Sequence, residues 1–205
     1  MNYLRIISIF ITVASVSVFH TLSAQTSSSG STQIALFADP GISGAYGDYP
    51  SEYNSTIDFS FSAGVRVRIN QAFSTKMIFA FDCGFLEVAY QGTVDATDTY
   101  FYSSYDFLTF NSLAGMSSGK GYLAGGLFFA KSLGGDSYQE YSDRWISLDQ
   151  KDDFGLLGEV GKDLGKYLTV GIQGRFGIPS IGNSVDIKTW ALHGKLNINI
   201  FEFGK

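Results

Sequence analysis

The sequence predicts an all-β protein, an eight-stranded antiparallel up-and-down transmembrane β-barrel, on three observations. Eight segments alternate apolar and polar side chains at period two, with turn residues between them. The segments are long: strands of soluble domains run about 5–6 residues, whereas a slanted strand crossing a bilayer needs about 9–11. The chain is also rich in phenylalanine (18), tyrosine (12) and glycine (24) with only 3 prolines, a composition that suits strands joined by tight turns. The clearest segment is 57–69, IDFSFSAGVRVRI. Ile57, Phe59, Phe61, Ala63, Val65, Val67 and Ile69 fall on one face, and Asp58, Ser60, Ser62, Arg66 and Arg68 on the other.

Residues 1–24 read as a secretory signal peptide outside the fold. Arg5 gives a short positive start, 6–19 an apolar run shorter than the ~20 residues of a spanning helix, and Leu22-Ser23-Ala24 a cleavage site before Gln25. Residues 25–32, QTSSSGST, form a polar lead-in expected to be flexible, and 33–205 form the barrel domain. Without residues 1–24 the chain holds 13 basic and 19 acidic residues, a net charge of −6, which sets nucleic-acid binding aside. Cys83 is the single cysteine, so neither an internal disulfide nor a thiolate metal cluster is available.

In chain order, 33–46 is a first, irregular strand with Pro40-Gly41 inside it, the mark of an edge or a bulge. The second strand is 57–69. The third, 76–91, carries Met77, Phe79, Phe81, Cys83 and Phe85 on one face; after Gly84 a slip is expected, because Leu86, Val88 and Tyr90 take over. Strands at 100–116 and 122–133 flank a tight turn at 117–121. Strands at 151–161, 167–178 and 187–203 complete the set, and 134–150 is the longest loop. Long polar loops alternate with short turns, the layout of a small outer-membrane barrel, and an even count places both ends in the periplasm. The long loops gather acids (Asp48, Glu52, Asp95, Asp98, Asp136, Glu140, Asp143, Asp149, Asp186), while Lys76, Lys120, Lys162 and Lys166 lie near the short turns. Such an acidic rim serves solubility, or bridging by divalent cations to surface polysaccharide, or contact with a partner.

Alternation alone leaves the direction of each face open: a soluble barrel turns its apolar face inward, a membrane barrel outward. Lipid outside is favoured by strand length, by export without disulfides, and by a wet face whose charges can pair. Asp58, Arg66, Arg68, Asp82, Glu159, Arg175, His193 and Lys195 are therefore expected to form a polar network in the lumen. Eight strands leave a lumen filled largely by side chains, so the network reads as a plug before a pore lining.

From Asp106 onward the sequence resembles the PorT-like outer-membrane β-barrels of Gram-negative bacteria. The hairpin FLTFNSLAGMSSGKGYLAGGLFFAKSL, 107–133, is similar to that family's paired fourth and fifth strands, with Tyr122-Leu123-Ala124-Gly125-Gly126 at the start of the second. Asp153-Phe154-Gly155-Leu156-Leu157-Gly158 and Gly174-Arg175-Phe176-Gly177-Ile178 resemble two later strands, and the first half matches in pattern only. Asn111-Ser112 and the final Lys205 depart from the family's pattern. In the last strand Trp190, Leu192, Leu196, Ile198 and Ile200 share one face while Phe201 and Phe203 fall on the other, so either the strand bulges near Ile200 or the end read by the barrel-assembly machinery differs.

For function, the expectation is an integral outer-membrane barrel with a structural or interaction role, in envelope assembly, secretion or surface contact. Its partners would be outer-membrane lipid, the barrel-assembly machinery during insertion and an envelope protein; no cofactor and no metal is expected. Tyr138, Tyr141 and Trp145 in the longest loop are the candidate contact residues, unless they belong to the interfacial aromatic belt. A narrow small-solute channel is the second reading, with Gly155, Gly161, Gly171 and Gly177 lightening the lumen. A lipid-modifying enzyme is the third: it needs a serine beside His193, the one histidine beyond residue 24, and no His-x-Ser is present.

Overall fold

The computed structural model describes residues 30–48, 53–72, 76–94, 99–140, 144–147, 151–179 and 186–204. The expected signal peptide and most of the lead-in lie outside the described residues. Nine strands follow in order: β1 (Ser31–Asp48), β2 (Tyr53–Ala72), β3 (Lys76–Val94), β4 (Thr99–Ser118), β5 (Gly121–Gln139), β6 (Arg144–Ser147), β7 (Asp153–Asp163), β8 (Leu168–Gly177) and β9 (Asp186–Phe203). Eight of them close a ring. The order β4-β3-β2-β1-β9-β8-β7-β5 is completed by β4–β5 pairing, and every neighbour is antiparallel. This is an up-and-down transmembrane barrel. Among the described residues the ninth strand, β6, pairs only with the far end of β5.

Facing follows the alternation. Leu123, Leu127 and Phe176 are 59–65% exposed on the outside, while Arg66, Asp82 and Lys195 are only 2–3% exposed in the lumen. Apolar side chains therefore meet lipid, and charged ones are enclosed. The two-residue turn at 119–120 and the bend at 165–167 close β4–β5 and β7–β8 at one end of the barrel, with Gly119 (φ 61°) and Gly165 (φ 85°) in the left-handed region. The start of β1 and the end of β9 lie at this same end, because Thr32 pairs with Phe203 and Ser31 with Asn70.

Several expectations are corrected. The strands are longer than their alternation suggests: β2 and β4 have 20 residues, whereas β7 and β8 have 11 and 10. The longest loop is partly sheet, since β5 runs on to Gln139 and turns back as β6. The lead-in ends at Gly30, because Ser31 and Thr32 already pair with β2. The expected slip in the third strand is absent: β3 pairs with β4 without a break from Met77–Met116 to Val94–Thr99. Leu86, Val88 and Tyr90 continue the inward series of Ile78, Ala80 and Asp82, so it is the chemistry of the lumen that changes there, not the facing.

The irregularity sits in β2 instead. Ile57 pairs with Tyr90 but Phe61 with Glu87, which leaves one extra residue in β2. Ser43 of β1 fills the gap in the ladder. Its hydroxyl donates to the Ala89 carbonyl (2.8 Å) and accepts the Ala89 N–H (2.9 Å). Pro40 is handled in a similar way. The β1–β9 ladder is interrupted between Phe37 and Gly41, and the Asp39 carboxylate accepts the Leu196 N–H at 3.0 Å. In β9 the bulge alternative holds: Ile34 pairs with Phe201 and Ala35 with Asn199, so Ile200 is the extra residue, and Phe201 and Phe203 both emerge exposed.

Candidate functional site: the lumen

Arg66 on β2 faces Asp82 on β3 in direct register. Its guanidinium donates to both Asp82 oxygens (2.6 and 2.9 Å) and, across the lumen, to both Glu159 oxygens on β7 (2.5 and 2.6 Å). Forked, two-sided pairing of this kind is what a planar guanidinium supplies and an ammonium cannot. Glu159 also accepts from the Tyr122 hydroxyl (2.5 Å) and from Gln173 (2.7 Å). Lys195 on β9 bridges Asp39 (2.8 Å) and Asp82 (3.4 Å) and lies 4.2 Å from the centre of the Phe37 ring. Five strands are thus tied through four charged side chains and Asp39.

Arg68 makes a second rung, nearer the short-turn end. It donates to Asp163 (2.7 and 3.2 Å) and to Asn70 (2.9 Å), above the Tyr122 ring. Arg175 is buried with its guanidinium 4.1 Å from the Phe128 ring centre and 3.5 Å from the Asn111 side-chain Oδ1. Of the eight residues expected in the lumen, the structure links Arg66, Asp82, Glu159 and Lys195 directly and buries Arg68, Arg175 and His193 beside them. Asp58 is the correction. It lies in the β2 bulge, where the extra residue takes it out of the inward series. Its carboxylate accepts the Phe59 N–H (2.7 Å), and its charge acts on Tyr100 and Tyr102 rather than on the network.

Beyond Asp82 and Asn111, towards the long-loop end, the β3–β4 side of the lumen turns apolar and aromatic. Leu86, Val88, Tyr90, Phe101, Tyr105 and Phe107 pack as one buried cluster with Phe128. Tyr90 stacks on Tyr105 (5.6 Å between centroids) with their hydroxyls 2.8 Å apart. The glycines expected to lighten the lumen are covered. A Cβ on Gly161 would lie 2.5 Å from the Tyr122 ring, one on Gly155 would strike the Phe176 carbonyl and Phe128, and one on Gly177 would meet Asp153. These glycines make room for side chains that fill the barrel.

The structure does bring a serine to His193. Ser60 Oγ and His193 Nε2 are 3.0 Å apart, and both residues are fully buried. The Ser60 hydroxyl donates to the Glu87 carbonyl (2.5 Å), so Nε2 carries the proton and donates to Ser60. Among the described residues Nδ1 has no hydrogen-bond partner, and hence no orienting carboxylate. A serine whose proton is already committed to a carbonyl, beside a histidine that donates to it, is not an activated nucleophile.

Asp39, Asp163, Tyr122, Gln173 and Asn111 are lumen partners that the sequence reading did not single out. Asp163 shares the parity of Glu159 on β7, and that signal was available. Of the loop residues, Tyr138 is half-buried on β5 and pairs with Trp145 of β6 through the backbone; Tyr141 lies outside the described residues, as do most of the acids of the long loops.

No protein-family model and no curated protein matches the chain. Solved structures similar to it include Neisserial surface protein A (NspA), at 12% identity over 83% of this chain and 99% of that one, with a TM-score of 0.47. Ail, the attachment invasion locus protein of Yersinia pestis, in complex with the heparin analogue sucrose octasulfate, shares 10% identity over 83% and 99%, TM-score 0.44. The outer membrane protein OprG from Pseudomonas aeruginosa shares 13% identity over 87% and 98%, TM-score 0.40.

Proposed function

We propose that this chain is an integral outer-membrane barrel with a structural and interaction role, its lumen closed to solutes and its short turns facing the periplasm. The observation that supports the reading is the filling of the lumen by two sets of buried side chains. Arg66 spans it between Asp82 and Glu159, and the aromatic cluster blocks it again above. Buried charges satisfied this fully leave no reason to admit water. The contact surface is then the wall that stands beyond the bilayer, where β5 carries Tyr138 in backbone register with β6. Envelope protein, outer-membrane lipid and, during insertion, the barrel-assembly machinery are the partners of such a protein. A secretion-linked role follows only from the resemblance to PorT-like barrels.

Planar-bilayer recording tests the closure. The purified protein is expected to give no stepwise conductance; regular, reproducible steps would replace this reading with the narrow channel. Deacylase activity on lipid A, lost in Ser60→Ala and His193→Gln, would bring back the enzyme.

A further inference from the structure

At the short-turn end the barrel holds an open cavity of about 280 Å³. It is rimmed by the start of β1, the end of β9, the facing ends of β2 and β3, the β4–β5 turn and the end of β7. Its chemistry is two-signed. Arg68 and Lys76 lie on the β2–β3 side, with Asp163 and Glu202 contributed by β7 and β9. Arg68 and Asp163 neutralise each other, and that bridge separates the cavity from the Arg66 rung. Arg68 spends its Nε–H on Asn70 and one N–H from each terminal nitrogen on Asp163, which leaves two N–H without a partner among the described residues. Lys76 and Glu202 make no ion pair among the described residues. Gly119 and Gly204, which have no side chain, also line the space.

We propose that this mouth binds a short peptide carrying both a carboxylate and an ammonium. Lys76 and the remaining N–H groups of Arg68 would hold the carboxylate, and Glu202 with the rim of Asp163 the ammonium. A ligand of one sign would leave the opposite charge facing it, whereas one of both signs completes two pairs at once. The volume lies just under the ~300–1,000 Å³ of drug-sized ligand sites, which limits the ligand to a few residues. A peptide rather than a lipid headgroup fits because Arg68 and Asp163 belong to the inward face, away from the lipid belt. The inference rests on the closed barrel, whose failure would show separately as conductance.

The test uses the full chain in maltoside micelles, which carry no charge. The tripeptide Ala-Glu-Lys is titrated while the Arg68 Nε–H resonance is followed by NMR, with the uncharged, end-blocked acetyl-Ala-Gln-Gln-amide and phosphoethanolamine as comparison ligands. Saturable binding of the charged tripeptide is expected at millimolar or lower concentration. Lys76→Gln and Glu202→Gln should each weaken it about two- to fivefold, the range of solvent-exposed ion pairs. Lys120→Gln, at the same end but outside the cavity, should not change it. Both cavity substitutions fall at strand ends open to solvent, so folding is not at stake. The proposal is overturned by an absence of saturation, by binding indifferent to Lys76→Gln and Glu202→Gln, or by acetyl-Ala-Gln-Gln-amide or phosphoethanolamine binding as tightly.

Discussion

Arg66 concentrates what the lumen does at the scale of one residue. It is the single cation shared by Asp82 and Glu159, all three almost wholly enclosed. Arg66→Met keeps the length of the side chain but leaves buried Glu159 with no ion-pair partner among the described residues and Asp82 with only its longer contact to Lys195. Removing one member of a buried pair costs about 3–5 kcal/mol, and this variant is expected to lose that much in reversible urea unfolding from lipid vesicles. An unchanged midpoint would show that water already reaches the carboxylates. Arg66, Asp82, Glu159 and Lys195 were legible in the sequence because period-two alternation fixes the face of each. What alternation does not carry is which strand lies across the lumen, so the Arg66–Glu159 bridge and the part of Asp39 could not be read. Asp58 was misread for a related reason: it sits at a one-residue insertion in β2, and nothing in IDFSF marks the insertion.

At the scale of the element, glycines on one strand divide by the face they occupy. On β7, Gly155 and Gly161 face in and Gly158 faces out. A Cβ at Gly155 meets the Phe176 carbonyl and the Phe128 ring, whereas one at Gly158 meets nothing within 4 Å. Gly155→Ala is therefore expected to cost about 1–3 kcal/mol through overpacking. Gly158→Ala should stay within about 0.5 kcal/mol of the parent, as exposed positions do. Equal costs in thermal unfolding would mean that Phe128 does not lie over β7. The bulge of β2 gives a second measurement. Ser43→Ala leaves the Ala89 N–H and carbonyl without their partner, at about 1–3 kcal/mol. Hydrogen exchange should then rise at Ala89 well before the rest of β3; a uniformly protected strand would count against the cap. The eight staves themselves were legible, since long alternating runs survive errors at their ends. The rims were not, because residues such as Tyr53 or Gly134–Gln139 are polar enough to read as loop and become strand only through pairing with a neighbour that also extends beyond the bilayer.

At the scale of the molecule, the wall is uneven. Strands of 18–20 residues make up β1–β5 and β9, about twice what a bilayer requires, while β7 and β8 have 11 and 10 and are just long enough. The apolar belt must then occupy only part of the tall staves. The outward face of β3 and β4 places its upper limit: Phe85 pairs with Leu108, and the next outward pair is Glu87 with Asp106, followed by Ser104, whose hydroxyl donates to Glu87 at 3.0 Å. Two carboxylates side by side belong in water, not in hydrocarbon. Leu127 of β5, 62% exposed, lies well below that line and Ser104 above it. Introducing arginine should separate the two: Leu127→Arg is expected to cost about 2–4 kcal/mol, the price of a charge at the bilayer midplane, and Ser104→Arg no more than about 1 kcal/mol. The readout is unfolding free energy in vesicles, with the same pair repeated in detergent micelles, where the difference should shrink because the hydrocarbon layer adapts to the charge. Equal costs in vesicles would place the belt elsewhere on the wall, and with it the β5–β6 hairpin that the proposed contact surface needs clear of the membrane.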